Sequence, residues 1–338
     1  MSTKKELWVF AEQVDGVIPS SVYELLSQGR ILCNEVGYRL CAALLSNNRT
    51  ASLSQELFNF GAKKVYTIED PKLEYFQNDY YSTALAQLIN EQAPKIILYS
   101  ATSIGRCLAP SIAAKIGTGL TADCTELNID PKTKLLLQTR AAYGGNIMAT
   151  IICPKHHPQM ATVRPNVFTK NKLSENESGE LIHYNVDLSS APDRMRRRKT
   201  VYNKNEDSSE LHTAQFIVSG GRGIGRPENF RIIKDLAEEL NAAVGASRAI
   251  TDAGWVSENH LVGQSGRTVR PKVYISCGIS GAIQHQVGMQ KSDLIIAINN
   301  DSNAPIFDIA DIGLVGDLHK IIPELQKQLA VVNTKTTT

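Results

Sequence analysis

Four short stretches hold the residues whose types and spacing could do chemistry: "SGGRGIG" (219–225), "VGASRAITDAGW" (244–255), "VGQSG" (262–266) and "GISGAIQH" (278–285). In the first, glycines let backbone N–H groups converge on an anion, and a following helix adds its positive end. Its spacing matches neither G-x-G-x-x-G nor a P-loop, so a plain strand-to-helix turn competes, and Arg222 tilts the balance toward an anion. In the second, Ser247 and Arg248 follow a short apolar run; Arg248 either pairs with Asp252 four residues on or faces an electron-rich ring. In the third, Gly263, Gln264, Ser265 and Gly266 make a compact polar turn. In the fourth, "GISG" is not the G-x-S-x-G nucleophile elbow, because Gly281 follows Ser280 directly. Ser280 therefore reads as a helix N-cap or a phosphate donor. His285 alone would be a structural hydrogen-bonder. Together with Arg222, Arg248, Ser265 and Ser280, it belongs to a set too large for one phosphate and suited to a dinucleotide.

Each stretch begins where an apolar strand pattern stops. Residues 213–338 alternate "AQFIVSG", a helix across "PENFRIIKDLAEELN", "AAVGAS", "PKVYISCG", a helix across "SGAIQHQVG", "DLIIAIN" and a helix from "DLHKIIPELQKQL". Such alternation predicts a parallel sheet flanked by helices, with ligands at the carboxyl ends of its strands. The first half has the same pattern, from "LWVFAEQ" and "PSSVYELLSQGRILCNEVG" to "KIILYSAT" and "IGRCLAPSIAAKIG". From Gly119 the pattern changes to strands joined by turns, which extend the sheet or pack against its edge. The expected organisation is α/β, with two mainly parallel sheets. An N-terminal domain takes 1–190, a basic and polar linker 191–212, and a Rossmann-like domain 213–338.

Length and composition agree, since 338 residues with 42% hydrophobic content suffice for two cores. Thirty-six basic and 34 acidic side chains nearly cancel, which removes any overall field favouring nucleic acid or a membrane surface. Five of the six residues from Arg194 to Lys199 are basic. Without interleaved aromatics, that run reads as a solvated connector or a docking patch for an acidic partner. Six cysteines without a C-x-x-C pair read as reduced thiols. With no signal core and no long apolar stretch, a soluble, cytoplasmic protein is expected.

"VYISCGISGAIQHQVGMQKSDLIIAIN" resembles the signature of the α subunit of electron-transfer flavoproteins. "GGRGIG", "GASRAITDAGW", "VGQSG" and "NAPIFDIADIGLVGDL" reinforce the resemblance, and "VFAEQ", "TGLTADCT" and "GGNIMA" extend it through the first half. The resemblance implies FAD in the C-terminal domain. Arg222 would contact it from the first loop, Ser247 and Arg248 from the second, and Val262, Gly263, Gln264 and Ser265 from the turn. Ser280, Gly281, Ala282, Ile283, Gln284 and His285 would line the phosphates, ribityl chain and ring. Asn299, with Asp317 and Leu318, would hold the adenosine end. Within that frame, donors and cations near a one-electron-reduced, negatively charged flavin raise its potential. Arg248 is expected to stack near the ring, His285 to donate toward the C2 carbonyl and Ser265 to bond N5.

The resemblance further implies an αβ heterodimer whose β subunit carries AMP or a second FAD. The heterodimer would move electrons from dehydrogenases or NADH to an acyl-CoA dehydrogenase or a quinone reductase. Flavin-based bifurcation, with ferredoxin or flavodoxin as acceptor, is a variant of this. The rival class is an NAD(P)-dependent or other nucleotide-using enzyme with a catalytic His285, which would need a nucleophile or general base beside the cofactor. A subunit that has lost its cofactor is a third reading, against which intact Arg248, Ser265, Gln284 and His285 speak.

Overall fold

The structure, a computed structural model, describes residues 4–48, 50–142, 147–195, 197–199, 211 and 214–335. They divide into two compact units, one drawn from residues 1–142 with 147–200 and the other from residues 201–338. Most of the expected linker lies outside the described residues. Within it, the Arg197 guanidinium carbon lies 4.0 Å from the centroid of the Tyr75 ring, and Arg194 approaches Asp79 at 4.0 Å. Arg194 and Arg197 of the basic run thus reach toward side chains of the first unit.

The first unit is built on strands β1 (Lys4–Ala11), β2 (Arg39–Ser46), β3 (Lys64–Glu69) and β4 (Pro94–Ser100). Between them run helices α1 (Ser20–Val36), α2 (Thr50–Asn59) and α3 (Asn78–Gln92), and α4 (Ser103–Ile116) follows β4. The run "LWVFA" is buried on both faces, as a central parallel strand requires. Leu7, Val9 and Ala11 pack into one core with α1 and α2. Trp8 and Phe10 pack into the opposite core with α3 and α4. Burying one such side chain contributes about 1.5 to 3 kcal/mol, so the two-sided pattern fixes the three-layer arrangement.

Helix ends follow from local chemistry. The Thr102 hydroxyl accepts from the Gly105 N–H at 3.0 Å to start α4, and Gly37 and Gly117 close α1 and α4 in left-handed conformations.

After α4 the chain departs from simple alternation in two ways. Strands β5 (Leu120–Cys124) and β9 (Gln159–Val163) join the main sheet, with β9 lying between β4 and β5. Strands β6 (Glu126–Ile129), β7 (Leu136–Ala142) and β8 (Ile147–Ile151) form a separate antiparallel sheet. The stretch after Gly119 therefore both extends the sheet and adds to it. Strand β10 (Glu180–His183), which the polar surroundings conceal in the sequence, pairs in parallel with β3 at the far edge. The order is β10-β3-β2-β1-β4-β9-β5.

The second unit has strands β11 (Phe216–Gly220), β12 (Ala243–Ala246), β13 (Val273–Cys277), β14 (Ile295–Asn299) and β15 (Ile312–Val315) in the order β12-β11-β13-β14-β15. Every neighbouring pair is parallel. Helix α5 (Arg231–Glu239) links β11 to β12, and α8 (Leu318–Lys335) follows β15. Two single-turn helices, α6 (Arg248–Thr251) and α7 (Ile283–Gln286), sit in the joins. The helix expected across "SGAIQHQVG" is thus only four residues long. The strand order reverses between β11 and β13, where a doubly wound sheet opens a crevice.

Candidate functional site

A cleft of about 690 Å³ lies against the joins that follow β11, β12, β13 and β14. Arg222, Ser247, Arg248, Val262, Gly263, Ser265, Ser280, Ala282, Gln284, His285 and Asn299 all line it. Residues far apart in the chain meet because four parallel strands end on one edge. Five expected residues are not part of its wall: Gln264, Gly281, Ile283, Asp317 and Leu318. Gln264 donates its backbone N–H to the Gln284 carbonyl at 2.7 Å, tying the polar turn to α7. Gly281 sits at φ +82, and a Cβ there would lie 2.3 Å from the Ile306 nitrogen. Ile283 is exposed on α7. Asp317 accepts from the His319 N–H at 2.9 Å at the start of α8, and Leu318 is buried in the core beneath the cleft.

The first glycine loop works differently from a backbone anion cradle. Its Gly221 N–H donates to the Cys277 carbonyl at 2.9 Å, and its Gly223 N–H donates to the Gly278 carbonyl at 2.9 Å. These amides join the loop to the one after β13, which leaves Arg222 as its cationic group. In the loop after β13, by contrast, the N–H groups of Ser280, Gly281 and Ala282 donate to no backbone carbonyl among the described residues. Consecutive free amides form a nest suited to an anion. Arg248 is exposed and makes no ion pair with Asp252 within 4.0 Å; its backbone carbonyl accepts from the Asp252 N–H at 2.9 Å instead. The guanidinium is therefore available to a ligand.

His285 is only 6% exposed. Its Nε2 lies 3.0 Å from the Tyr274 hydroxyl, and its Nδ1 is buried with no hydrogen-bond partner. Burial holds the imidazole pKa down at about 4, and the Val262 backbone beside the ring opposes this only in part. The ring is therefore neutral at pH 7 and is not a base poised near neutrality. Asn299 holds its own surroundings together, donating from Nδ2 to the Ile279 carbonyl at 2.9 Å and accepting from the Asp301 N–H at 3.0 Å.

Asp301 and Tyr274 escaped the sequence reading. Asp301 lines the cleft two residues beyond Asn299, and the turn "NNDSN" is the signal that could have flagged it. Tyr274 lies inside an apolar strand pattern, where nothing in the sequence marks its hydroxyl.

The residues present fit a flavin dinucleotide. They offer an amide nest, two available guanidinium groups, and one orphaned buried ring nitrogen beside a cleft of suitable size. Fold and site together define a two-unit α/β protein whose second unit is a nucleotide-binding domain. Comparison with known proteins narrows this. Residues 7–189 match the family described as "Electron transfer flavoprotein domain", and residues 210–290 match "Electron transfer flavoprotein FAD-binding domain". The chain belongs to the electron transfer flavoprotein alpha subunit family, of bacterial type.

An electron transfer flavoprotein subunit alpha of Thermoanaerobacterium thermosaccharolyticum is 47% identical over 97% of this chain and 99% of its own length. That of Megasphaera elsdenii is 45% identical over 96% of each. An "Acryloyl-CoA reductase electron transfer subunit beta" of Anaerotignum propionicum is 41% identical over 94% of each. Among the described residues, no helix is long and apolar enough to cross a membrane and no cluster of side chains could hold a metal ion.

Proposed function

We propose that this chain is the FAD-carrying subunit of an αβ electron carrier that serves an acyl-CoA-linked flavoprotein. The observation that carries the reading is the convergence of Ser280 and Ala282, which flank the amide nest, with Arg222, Arg248 and His285 on one cleft of the second unit. When bound, FAD supplies a centre that takes up and releases electrons one or two at a time. The nest and Arg222 hold its pyrophosphate. Ser247 and the turn at Val262–Ser265 position the isoalloxazine side. Arg248 lends positive charge near the ring, which favours its more negative reduced forms and raises the potential. Asn299 and Asp301 face the adenosine end, with Asp317 and Leu318 supporting the adjoining turn. Ser265 would be the donor for N5, and Gln284 and His285 would border the ring.

The heterodimer is completed by a β subunit, which holds AMP or a second FAD. The acryloyl-CoA reductase relative supports an acyl-CoA-linked partner. The test is to mix the purified heterodimer, rapidly and without oxygen, with an acyl-CoA dehydrogenase reduced by its substrate. Bleaching of the flavin band within a turnover time supports the reading, and an unchanged band contradicts it. Two flavins per heterodimer, the second reduced by NADH, would place the protein among bifurcating carriers.

A further inference from the structure

We propose that Asp301 reads the ribose of the bound dinucleotide, its free carboxylate oxygen accepting a hydrogen bond from the 2′-hydroxyl of the adenosine half. This rests on the reading that the cleft holds FAD. Strand order is the first support. Taken from its far edge, the second sheet runs β15-β14-β13 and continues with β11 and β12 beyond the crevice. In a doubly wound sheet of this kind, the first strand ends in a glycine turn that holds the pyrophosphate. The next strand ends in an acidic residue, about 20 positions further on, that bonds the ribose. Here β13 runs into the turn Gly278–Gly281, and β14 ends at Asn299, just before Asp301. Asp301 thus stands about 20 positions after Gly281, although the turn itself lacks the G-x-G-x-x-G spacing.

Local geometry is the second support. Asp301 lines the cleft. Its backbone N–H donates to Asn299 Oδ1 at 3.0 Å, and Asn299 Nδ2 donates to the Ile279 carbonyl at 2.9 Å, so one side chain ties Asp301 to the turn that carries the amide nest. Its Oδ1 accepts from the Asn303 N–H at 2.9 Å, which closes a short turn and fixes the side chain. Its Oδ2 has no hydrogen-bond partner among the described residues and is left to accept. The two loops are also clamped further along. The Ile306 N–H donates to the Ser280 carbonyl at 3.0 Å, and Gln286 Nε2 donates to the Gly281 and Pro305 carbonyls at 2.7 and 3.1 Å. The place of Asp301 relative to the nest is therefore set by the protein alone.

Chemistry then selects the group that it meets. A carboxylate only accepts, so it repels phosphate and must face a donor. The adenosine half offers two kinds, the ribose hydroxyls and the adenine amine. Neighbouring strands lie about 4.8 Å apart, so the sugar next to the pyrophosphate falls one strand over, at β14, and the base one strand further, at β15. A carboxylate at that point also disfavours any ligand with a 2′-phosphate.

The test uses the full chain with its β subunit, stripped of flavin and titrated with FAD and with FAD whose adenosine lacks the 2′-hydroxyl. Flavin fluorescence reads the dissociation constants. The wild type should bind the deoxy form roughly ten- to hundredfold more weakly, the range of a hydrogen bond to a charged group. Asp301→Ala should bind FAD more weakly by a similar factor and no longer distinguish the two. Asp301→Asn keeps an oxygen for the Asn303 N–H and should fall between them; it replaces the alanine variant should that not fold. Sites on the β subunit are the same in every variant, so differences between variants report on this chain. Equal affinity of the wild type for both flavins would overturn the proposal, as would an Asp301→Ala variant that still discriminates. So would a variant that instead stops discriminating against FAD with hypoxanthine in place of adenine, since the carboxylate would then read the base. A wild type that takes up neither flavin would defeat the FAD reading itself, whereas equal uptake of both defeats only the role of Asp301.

Discussion

A side-chain carbon on Gly223 would lie 2.7 Å from the Cα of Gly278, so the loops after β11 and β13 meet backbone to backbone. Their closeness is held by the hydrogen bond from the Gly223 N–H to the Gly278 carbonyl. Gly223→Ala must push the loops apart, and Gly278 cannot give way easily because it already sits at φ +63. The variant should lose about 1 to 3 kcal/mol of stability, the usual cost of overpacking. It should also retain less FAD. Thermal unfolding and flavin content, measured on the same preparation, check both.

Arg248 makes no ion pair with Asp252, and its free charge should therefore act on the ligand. Arg248→Ala should weaken the reduced ring by about 1 to 2 kcal/mol, the scale of a desolvated cation–ring contact, with Arg248→Lys between the two. Spectroelectrochemical titration reads this as a fall in midpoint potential. An unchanged midpoint in Arg248→Ala would separate the guanidinium from the flavin's energetics.

His285 gives stability a pH dependence of defined sign. Its folded pKa of about 4 lies below its ordinary value of 6.5 because the ring is buried. Between these values the unfolded chain binds a proton that the folded chain does not. Stability therefore falls as pH drops from about 6.5 to about 4, in total by an amount on the order of 3 kcal/mol. Glu24 of the first unit acts oppositely: burial raises its carboxyl to about 7, so its contribution falls as pH rises from 4.5 to about 7. The two effects overlap, so the difference between wild type and His285→Gln in urea unfolding isolates the histidine. The variant should show a shallower loss of stability on acidification.

In the first unit, Gly105 lies in the first turn of α4, where a Cβ would fall 1.8 Å from the Ser100 carbonyl oxygen. The helix can approach the end of β4 only with glycine there. Gly105→Ala should destabilise the protein by about 3 kcal/mol or more, a size reserved for a real steric conflict in a packed site. Equilibrium unfolding monitored by the two tryptophans, one of which, Trp8, is fully buried in this unit, checks it.

Most of the architecture is legible in the sequence because β1 to β4 and α1 to α4 each carry their own period. The five strands of the second unit do so less evenly. Strand β15, "IGLV", is exposed at all four positions, so no alternation marks it, and only its pairing with β14 makes it a strand. Strand β10 hides for a similar reason, being a four-residue edge strand after a long polar stretch. The cleft residues are legible because parallel topology sends every strand-end join to one edge. The part that each residue plays there depends on partners far away in sequence. Asn299 is occupied with Ile279 and Asp301, and the amides of Gly221 and Gly223 are occupied with the β13 loop. His285 turns its Nε2 toward Tyr274. No spacing rule encodes these contacts, because they arise only when two strands have been placed side by side.

The most direct measurement is the flavin content of the chain purified with its β subunit, read from the visible spectrum and from the nucleotide released on denaturation. One FAD held in this chain, lost when Arg222 and Arg248 are both changed to alanine while the fold persists, is the predicted result. A colourless, nucleotide-free heterodimer that stays so after incubation with FAD would contradict it.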